Sequence, residues 1–451
     1  MDKFNDLRNK YSEFIYDNFS YEILDDEFII NYKFTIPNLC EFNPTIKFPK
    51  SIIKNNNIND NLLKYIIFNI GLVEMISYYK LVCSPLITIK AGYIDDDQVN
   101  WFKKLIYNGL AEFFYKNNIS VNINDFVSIK STGDKLNINN VLFEPHGNLV
   151  PVGGGKDSCV SLEILKGEDN MCFVINPKDV QINCCKAAGY SDNNIIIINR
   201  DFEKNKIVEL NNQGFLNGHI PISANIAFIS YLIAYLASRE NICLSNESSA
   251  NEATIIGTNI NHQYSKTLEF ENDFRWYTSK YFNIDINYFS LLRGISEYQI
   301  ASIFSKYNKY FNIFKSCNLG SKNDSWKWCC NCPKCLFVFI ILSPHLYKEE
   351  LVNIFGEDLF ERKDLLNYFL ELIGESETKP FECVGTINEA KYAVSTLINK
   401  LDKNNLPYLL DYYLNNYPLF LGGANILDYS SENNVPEKYK HIILNLIKGD
   451  N

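Results

Sequence analysis

The sequence predicts an α/β protein: a parallel sheet with helices on both faces, preceded by an α+β N-terminal domain and followed by a mostly helical C-terminal region. Three observations support this. Beyond about residue 141, short runs rich in Ile and Val alternate with helix-like segments, as βαβ units do. Before it, strand-like alternation stands beside long amphipathic stretches. The 451 residues also exceed the size at which a single hydrophobic core stops growing. The expected divisions are 1–140, 141–345 and 346–451, the middle one carrying a cysteine cluster.

In the first division, "FIINYKFTI" alternates Phe28, Ile30, Tyr32, Phe34 and Ile36, as a half-buried strand does. "NLLKYIIFNIGLVEMISYYK" reads as a long apolar helix capped by Asp60 or Asn61. "DDDQVNWFKKLIYNGLAEFFYKN" opens with acids suited to a helix N-terminus and puts Val99, Phe102, Ile106, Leu110 and Phe113 on one face. In the second division, "NLVPV", "MCFVIN", "NIIIINR" and "NICLSNE" read as strands. "DSCVSLEILK", "KDVQINCCKAAG" and "ISANIAFISYLIAYLASRE" read as the helices between them. The third contains "YKEELVNIFGEDLFERKDLLNYFLELIGE" and "EKYKHIILNLIKG", both of helical pattern.

Hydrophobic content is 46% and charged content 21%, the ordinary range of a globular protein. The formal charge of -10 opposes nonspecific nucleic-acid binding, which runs on phosphate neutralisation. The N-terminus is charged throughout and has no apolar core of a signal peptide. The apolar stretches "ANIAFISYLIAYLAS" and "CLFVFIIL" fall short of the roughly 20 residues that span a bilayer. A cytoplasmic protein without a membrane partner is expected. The 13 cysteines, odd in number and scattered, do not form a disulfide framework.

The most informative stretch is "PVGGGKDS", between a strand-like and a helix-like segment. Gly153, Gly154 and Gly155 leave the main chain bare where a helix begins, which makes an anion site of free N–H groups. Lys156 adds charge, Ser158 a hydroxyl, and Asp157 a carboxylate able to position magnesium. The Walker A spacing is absent, and the third small residue of the dinucleotide fingerprint is replaced by Ser158. The bland alternative is a flexible turn.

A second cluster, "SCNLGSKNDSWKWCCNCPKC", offers Cys317, Cys329, Cys332 and Cys335 for a tetrahedral structural zinc, with Cys330 as a spare or alternative ligand. Asn246 and Glu247 end a predicted strand, where α/β sheets bind ligands. Asn217 and His219 precede a buried helix, and His262, Tyr264 and Lys266 lie in a dense polar loop. Cys383 sits just before another helix, where a thiol pKa can be lowered. By default these are a capping histidine, a solvated loop and an inert buried thiol.

Gly154, Gly155, Asp157 and Ser158 resemble the pyrophosphatase loop of the N-type ATP pyrophosphatases (the PP-loop, on an adenine nucleotide alpha hydrolase-like sheet), with Gly153 in place of the usual leading serine. A similar cysteine set closes the cyano-deazaguanine synthases of that superfamily. Across nearly the whole chain, "FNIGLVEMISYYK", "IKAGYIDDDQ", "NGLAEFFYKN", "VPVGGGKDS", "GFLNGHIP", "NHQYSKTLEFE", "CPKCLFVF" and "KPFECVGT" together resemble the MurL family. These are ATP-dependent UDP-N-acetylmuramoyl-L-alanyl-L-glutamate epimerases. The resemblance implies ATP and Mg2+ as cofactors, a nucleotide-linked peptide substrate, an acyl adenylate, and release of AMP and pyrophosphate in peptidoglycan precursor synthesis. Inversion needs an acid and a base, for which His219, His262 and Cys383 are the candidates, with Tyr264 and Lys266 behind them. Two other readings compete: an adenylating enzyme acting on a nucleoside precursor, tRNA or a different peptide, and a nucleotide-binding protein without catalysis.

Overall fold

A computed structural model describes residues 3–138, 141–255, 257–258, 260–317, 319–320 and 327–448. Among these residues, eleven strands form one continuous sheet. They are β1 (Glu13–Ile23), β2 (Glu27–Ile36), β3 (Cys40–Phe42), β4 (Thr45–Pro49), β5 (Leu86–Ile89), β6 (Ser128–Ser131), β7 (Asn148–Pro151), β8 (Asn170–Ile175), β9 (Ile195–Asp201), β10 (Asn241–Leu244) and β11 (Asn287–Ser290). Their order is β11-β10-β7-β8-β9-β4-β2-β1-β5-β6, with β3 paired to β2.

The five strands from β11 to β9 are parallel. β4 joins β9 antiparallel, through Ile46 opposite Arg200, so the sheet runs unbroken from the first division of the chain into the second. The same junction is tied by Arg200, whose guanidinium grips the Glu74 carboxylate at 2.8 and 2.7 Å. β2 alternates as its sequence requires, with Phe28, Ile30, Tyr32, Phe34 and Ile36 all buried. β8 is buried along nearly its whole length, as a parallel strand covered on both faces must be.

One asparagine from each of β8, β7, β10 and β11 sits in register at the N-terminal end of the parallel strands. Asn148 donates to Asn170 at 2.8 Å, Asn241 to Asn148 at 3.1 Å, and Asn287 to Asn241 at 3.2 Å. Tyr439, from the C-terminal helix, donates to Asn148 at 2.8 Å. The ladder pins the strand register and anchors the end of the chain to the sheet.

Several predicted helices are shorter than their apolar runs. The segment expected over 61–80 is capped by Asn59, whose side chain accepts from Leu62 N–H, and it breaks at Met75. Asp60–Tyr79 is the one run of described helix long and apolar enough to cross a membrane, and 94% of its most apolar window is buried inside the protein. The 95–117 segment divides at Leu110 into Asp96–Gly109 and Ala111–Lys116. The next helix stops at Leu236, ahead of the left-handed Ser238. Between 347 and 375 the chain makes only short helices, the first ended by left-handed Gly356. The sequence reading placed nothing at β1, β5, β6, β11 or the helix Leu268–Tyr281.

The topology decides where a ligand can enter. From β7 the chain moves to β8 and β9 on one side, then crosses back to β10 and β11 on the other. The order therefore reverses at β7, and a crevice opens beyond the C-terminal ends of β7 and β10.

Candidate functional site

That crevice is a cavity of about 480 Å³. Its wall includes Gly153, Gly155, Asp157 and Ser158 from the glycine turn, and Ser245, Asn246 and Glu247 from the end of β10. Lys266, Lys315, Lys334 and Cys383 also line it. The helix Lys156–Ile164 starts here with Gly155 as an N-cap that has no side chain to cap it. Its first N–H groups remain available to an anion. Gly153 N–H donates to Ser158 Oγ at 2.9 Å, which folds the turn back on the helix. Gly154 has a φ of 83°, and a Cβ there would come within 2.7 Å of Val180. A Cβ on Gly155 would meet Ser316 Oγ at 2.6 Å. Gly154 thus needs glycine, whereas a side chain at Gly155 would make Ser316 turn aside.

Gly154 and Lys156 stand outside the cavity wall. The Lys156 ammonium is buried between the carboxylates of Asp157 and Glu297, so it braces the turn from behind. Burial, with Asp157 and Glu247 adding to it, raises the Glu297 carboxyl above its usual range, against the opposing pull of Lys156.

Asp157, Glu247 and Glu297 bring carboxylate oxygens within 4.8 Å of one another. Asp157 and Glu247 face the cavity, and their donor set suits a hard divalent cation such as magnesium. The Ser245 hydroxyl in the same wall is buried with no hydrogen-bond partner among the described residues, as a group that meets a ligand would be. Asn246 donates to Ser290 Oγ at 3.1 Å.

The opposite wall carries a chain of titratable groups. Lys266 Nζ lies 3.1 Å from Cys383 Sγ. His262 acts electrostatically on the same thiol and pairs through Nδ1 with Glu112. His219 lies 3.8 Å from that carboxylate and packs against His262 with ring centroids 4.3 Å apart and planes tilted by 45°. Burial opposes ionisation of Cys383, but Lys266, His262 and Lys334 outweigh it and pull the thiol down to about 6. Burial also opposes charging of His262, yet Cys383 and Glu112 raise it to about 9. Burial and the neighbouring His262 lower His219 to about 4. Near neutrality the result is a thiolate beside an imidazolium, with a neutral imidazole behind. His219 and His262 do not line the cavity; Cys383 alone of the three reaches it.

The four thiols of Cys317, Cys329, Cys332 and Cys335 also converge, all within 4.8 Å of one another. Cys332 and Cys335 are 3.4 Å apart, and Cys329 and Cys335 3.5 Å. Tetrahedral zinc with bonds of about 2.3 Å would hold its sulfurs about 3.8 Å apart, so the set fits that ion. Cys330 is turned away by a left-handed backbone, and its thiol donates to Phe355 O at 3.2 Å. Cys317 lines the cavity as well as the cluster. The remaining named residues stand elsewhere: Tyr264 is buried in a core cluster, and the Asn217 carbonyl accepts from Asn117.

Sequence reasoning missed several residues. Glu112 holds both histidines, but in the sequence it is one acid on an amphipathic helix. Arg293, buried, donates to the carbonyls of Glu247 and Lys266 and so fixes two cavity residues from behind. Lys315, Lys334 and Glu297 carried no signal beyond their charge. Only the lysines' closeness to the cysteine cluster could have singled them out.

Fold and cavity together define an α/β protein in which a glycine turn at an uncapped helix N-terminus shares a cavity with the Cys383 thiol. Residues 5–291 match the MurL N-terminal domain and residues 313–417 the MurL C-terminal domain. Three relatives carry the name UDP-N-acetyl-alpha-D-muramoyl-L-alanyl-L-glutamate epimerase. That of a Micromonospora species is 31% identical over 402 residues, covering 87% of this chain and 88% of the relative. That of Xanthomonas oryzae pv. oryzae is 32% identical, covering 81% of each. That of Salinispora tropica is 31% identical, covering 87% of this chain and 86% of the relative. No solved structure matches the chain. The chain belongs to the MurL family.

Proposed function

We propose that this protein inverts the terminal L-glutamate of UDP-N-acetylmuramoyl-L-alanyl-L-glutamate to D-glutamate at the expense of ATP, in the cytoplasm, for peptidoglycan synthesis. Its membership of a family whose relatives bear that name supports the substrate. One observation carries the mechanism: the glycine turn and the Cys383 thiol line the same cavity.

The turn and the uncapped helix N-terminus receive the triphosphate. Asp157 and Glu247 would hold a magnesium ion that screens its charge. The glutamate α-carboxylate attacks the α-phosphorus and pyrophosphate leaves, giving an acyl adenylate. Deprotonating a free carboxylate at its α-carbon would build a dianion, and the adenylate removes that charge. The Cys383 thiolate then takes the α-proton, while the ammonium groups of Lys266 and Lys334 offset charge on the forming enolate oxygen. A proton from solvent returns on the other face, Cys383 gives its own proton up to solvent, and water cleaves the adenylate to the carboxylate and AMP. His262, held by Glu112, keeps the thiol ionised, with His219 next along the chain of groups.

The test is AMP and pyrophosphate release with a panel of L-glutamate-terminated acceptors, followed by chiral analysis of the glutamate. The muramoyl dipeptide is expected to stimulate AMP formation and to yield D-glutamate. AMP formation driven by a nucleoside precursor or tRNA, with the dipeptide inert, would replace this reading with another adenylating enzyme.

A further inference from the structure

The chemistry above makes no use of the four-cysteine cluster, yet the cluster is built into the cavity from two sides. On one side, Lys315 N–H donates to Gly154 O at 3.0 Å. The next residue, Ser316, packs closely on the turn, its Oγ 2.6 Å from where a Cβ on Gly155 would stand. The residue after that is Cys317. On the other side, Lys334 stands between Cys332 and Cys335 at the start of the helix Pro333–Leu342, and its ammonium bonds the Cys383 carbonyl. One sulfur cluster therefore stands directly behind both the glycine turn and the segment bearing the reactive thiol.

The thiols are arranged for a metal. Their separations of 3.4 and 3.5 Å far exceed a disulfide bond of about 2.0 Å. Gly320 N–H points at Cys317 Sγ at 3.0 Å, and Asn331 N–H at Cys329 Sγ at 3.5 Å. Such donors orient thiolate ligands and offset their charge. The turn to left-handed backbone at Cys330 removes the fifth cysteine and leaves four, the number a closed structural site takes.

We infer that these four cysteines bind one zinc ion, and that the bound ion clamps segment 315–317 against the glycine turn and Lys334 against Cys383, so that metal occupancy and ATP binding are coupled. The coupling rests on the proposed nucleotide site; the metal site does not. Without the ion, four thiols freed from a common centre no longer hold the two flanks in register. By thermodynamic reciprocity, ATP must tighten zinc by the same factor that zinc tightens ATP.

The experiment uses the full chain. Native mass spectrometry counts the metal, and replacement by cobalt reports tetrahedral thiolate coordination through its visible spectrum. ATP binding in the presence of Mg2+ is then measured by calorimetry on protein as purified, stripped by a chelator, and refilled with one equivalent of zinc. Circular dichroism checks that the stripped protein stays folded. One zinc per chain is expected, with ATP affinity falling about 5- to 150-fold on stripping and returning on refilling. Zinc affinity, read with a competing chromophoric chelator, is expected to rise with ATP by the same factor. Cys330→Ser should keep both metal and affinity, whereas Cys329→Ser should lose both together.

Protein that takes up no zinc or tetrahedral cobalt overturns the metal site. Equal ATP affinity with and without zinc overturns the coupling and leaves the nucleotide reading standing. Absence of ATP binding in every form, with zinc present, overturns the nucleotide reading and the coupling with it. If stripping unfolds the chain, the reciprocal measurement on folded protein decides: zinc affinity unmoved by ATP refutes the coupling.

Discussion

The parallel strands β7, β8, β10 and β11 have polar groups at both ends, and the two ends differ in how those groups are used. At the N-terminal end, four asparagines and Tyr439 bond one another in a ladder. At the C-terminal end, the Ser245 hydroxyl has no partner among the described residues, a helix starts without a side-chain cap, and a thiol is drawn down by two lysines and a histidine. Side chains that satisfy each other serve the fold. Side chains whose partners are missing, or whose charge is forced by neighbours, await a ligand or a reaction.

Substitutions at the two ends should therefore separate activity from stability. The largest effect is expected at Asp157, the carboxylate in the first turn of the uncapped helix. Asp157→Asn should abolish AMP release and α-proton exchange together, with folding intact by circular dichroism. Loss of only one of the two activities would break the link between turn and thiol. At the other end, Asn148→Ala leaves buried amide and hydroxyl groups unpaired. It should cost about 1–3 kcal/mol in urea denaturation, with kcat per folded molecule unchanged. A fall in kcat at unchanged stability would show that the two ends are not separate.

The next effect is on pH dependence. Thiolate needs a pH above about 6, and imidazolium a pH below about 9. Proton exchange should therefore be bell-shaped. On the acid side it should fall about tenfold per unit as Cys383 takes up a proton, and on the alkaline side as His262 loses one. Glu112→Gln removes an anion that holds the His262 charge, so the alkaline limb should move down in pH. An unmoved alkaline limb would remove His262 from the pair. The smallest effect is expected at Gly153, where an added Cβ meets only Ser158 Oγ, at 3.6 Å. Gly153→Ser should change stability by less than about 0.5 kcal/mol and leave the KM for ATP no higher. A large loss at this position would mean that the turn approaches its ligand more closely than its neighbours indicate.

Much of this arrangement was legible in the letters. The α/β rhythm from β7 to β10 follows from Ile and Val runs broken by helices, because strands covered on both faces must be apolar throughout. The glycine turn was legible because three adjacent glycines have few other uses at the start of a helix. The cysteine cluster was legible from its spacing, although only the backbone at Cys330 shows which of two adjacent thiols belongs to it. What stayed hidden depends on contacts between residues far apart in sequence. Glu112 lies 150 residues from His262, and Lys266 lies 117 from Cys383. Lys156, beside the glycines in sequence, reads as a phosphate ligand, but Glu297, 141 residues on, engages it from behind. The continuity of the sheet across the first division hangs on β4 meeting β9, which no local pattern announces.

The central claim is that carboxylate activation at the turn and proton transfer at Cys383 are two steps in one cavity. The most direct measurement compares wild type with Cys383→Ala in deuterium oxide, following dipeptide-dependent ATP–pyrophosphate exchange and α-deuteration of the substrate together. The predicted result is that wild type does both and deuterates only when ATP is present, while the variant keeps the exchange and loses deuteration by about 10²- to 10⁴-fold. Deuteration without ATP, or undiminished deuteration in the variant, would contradict it.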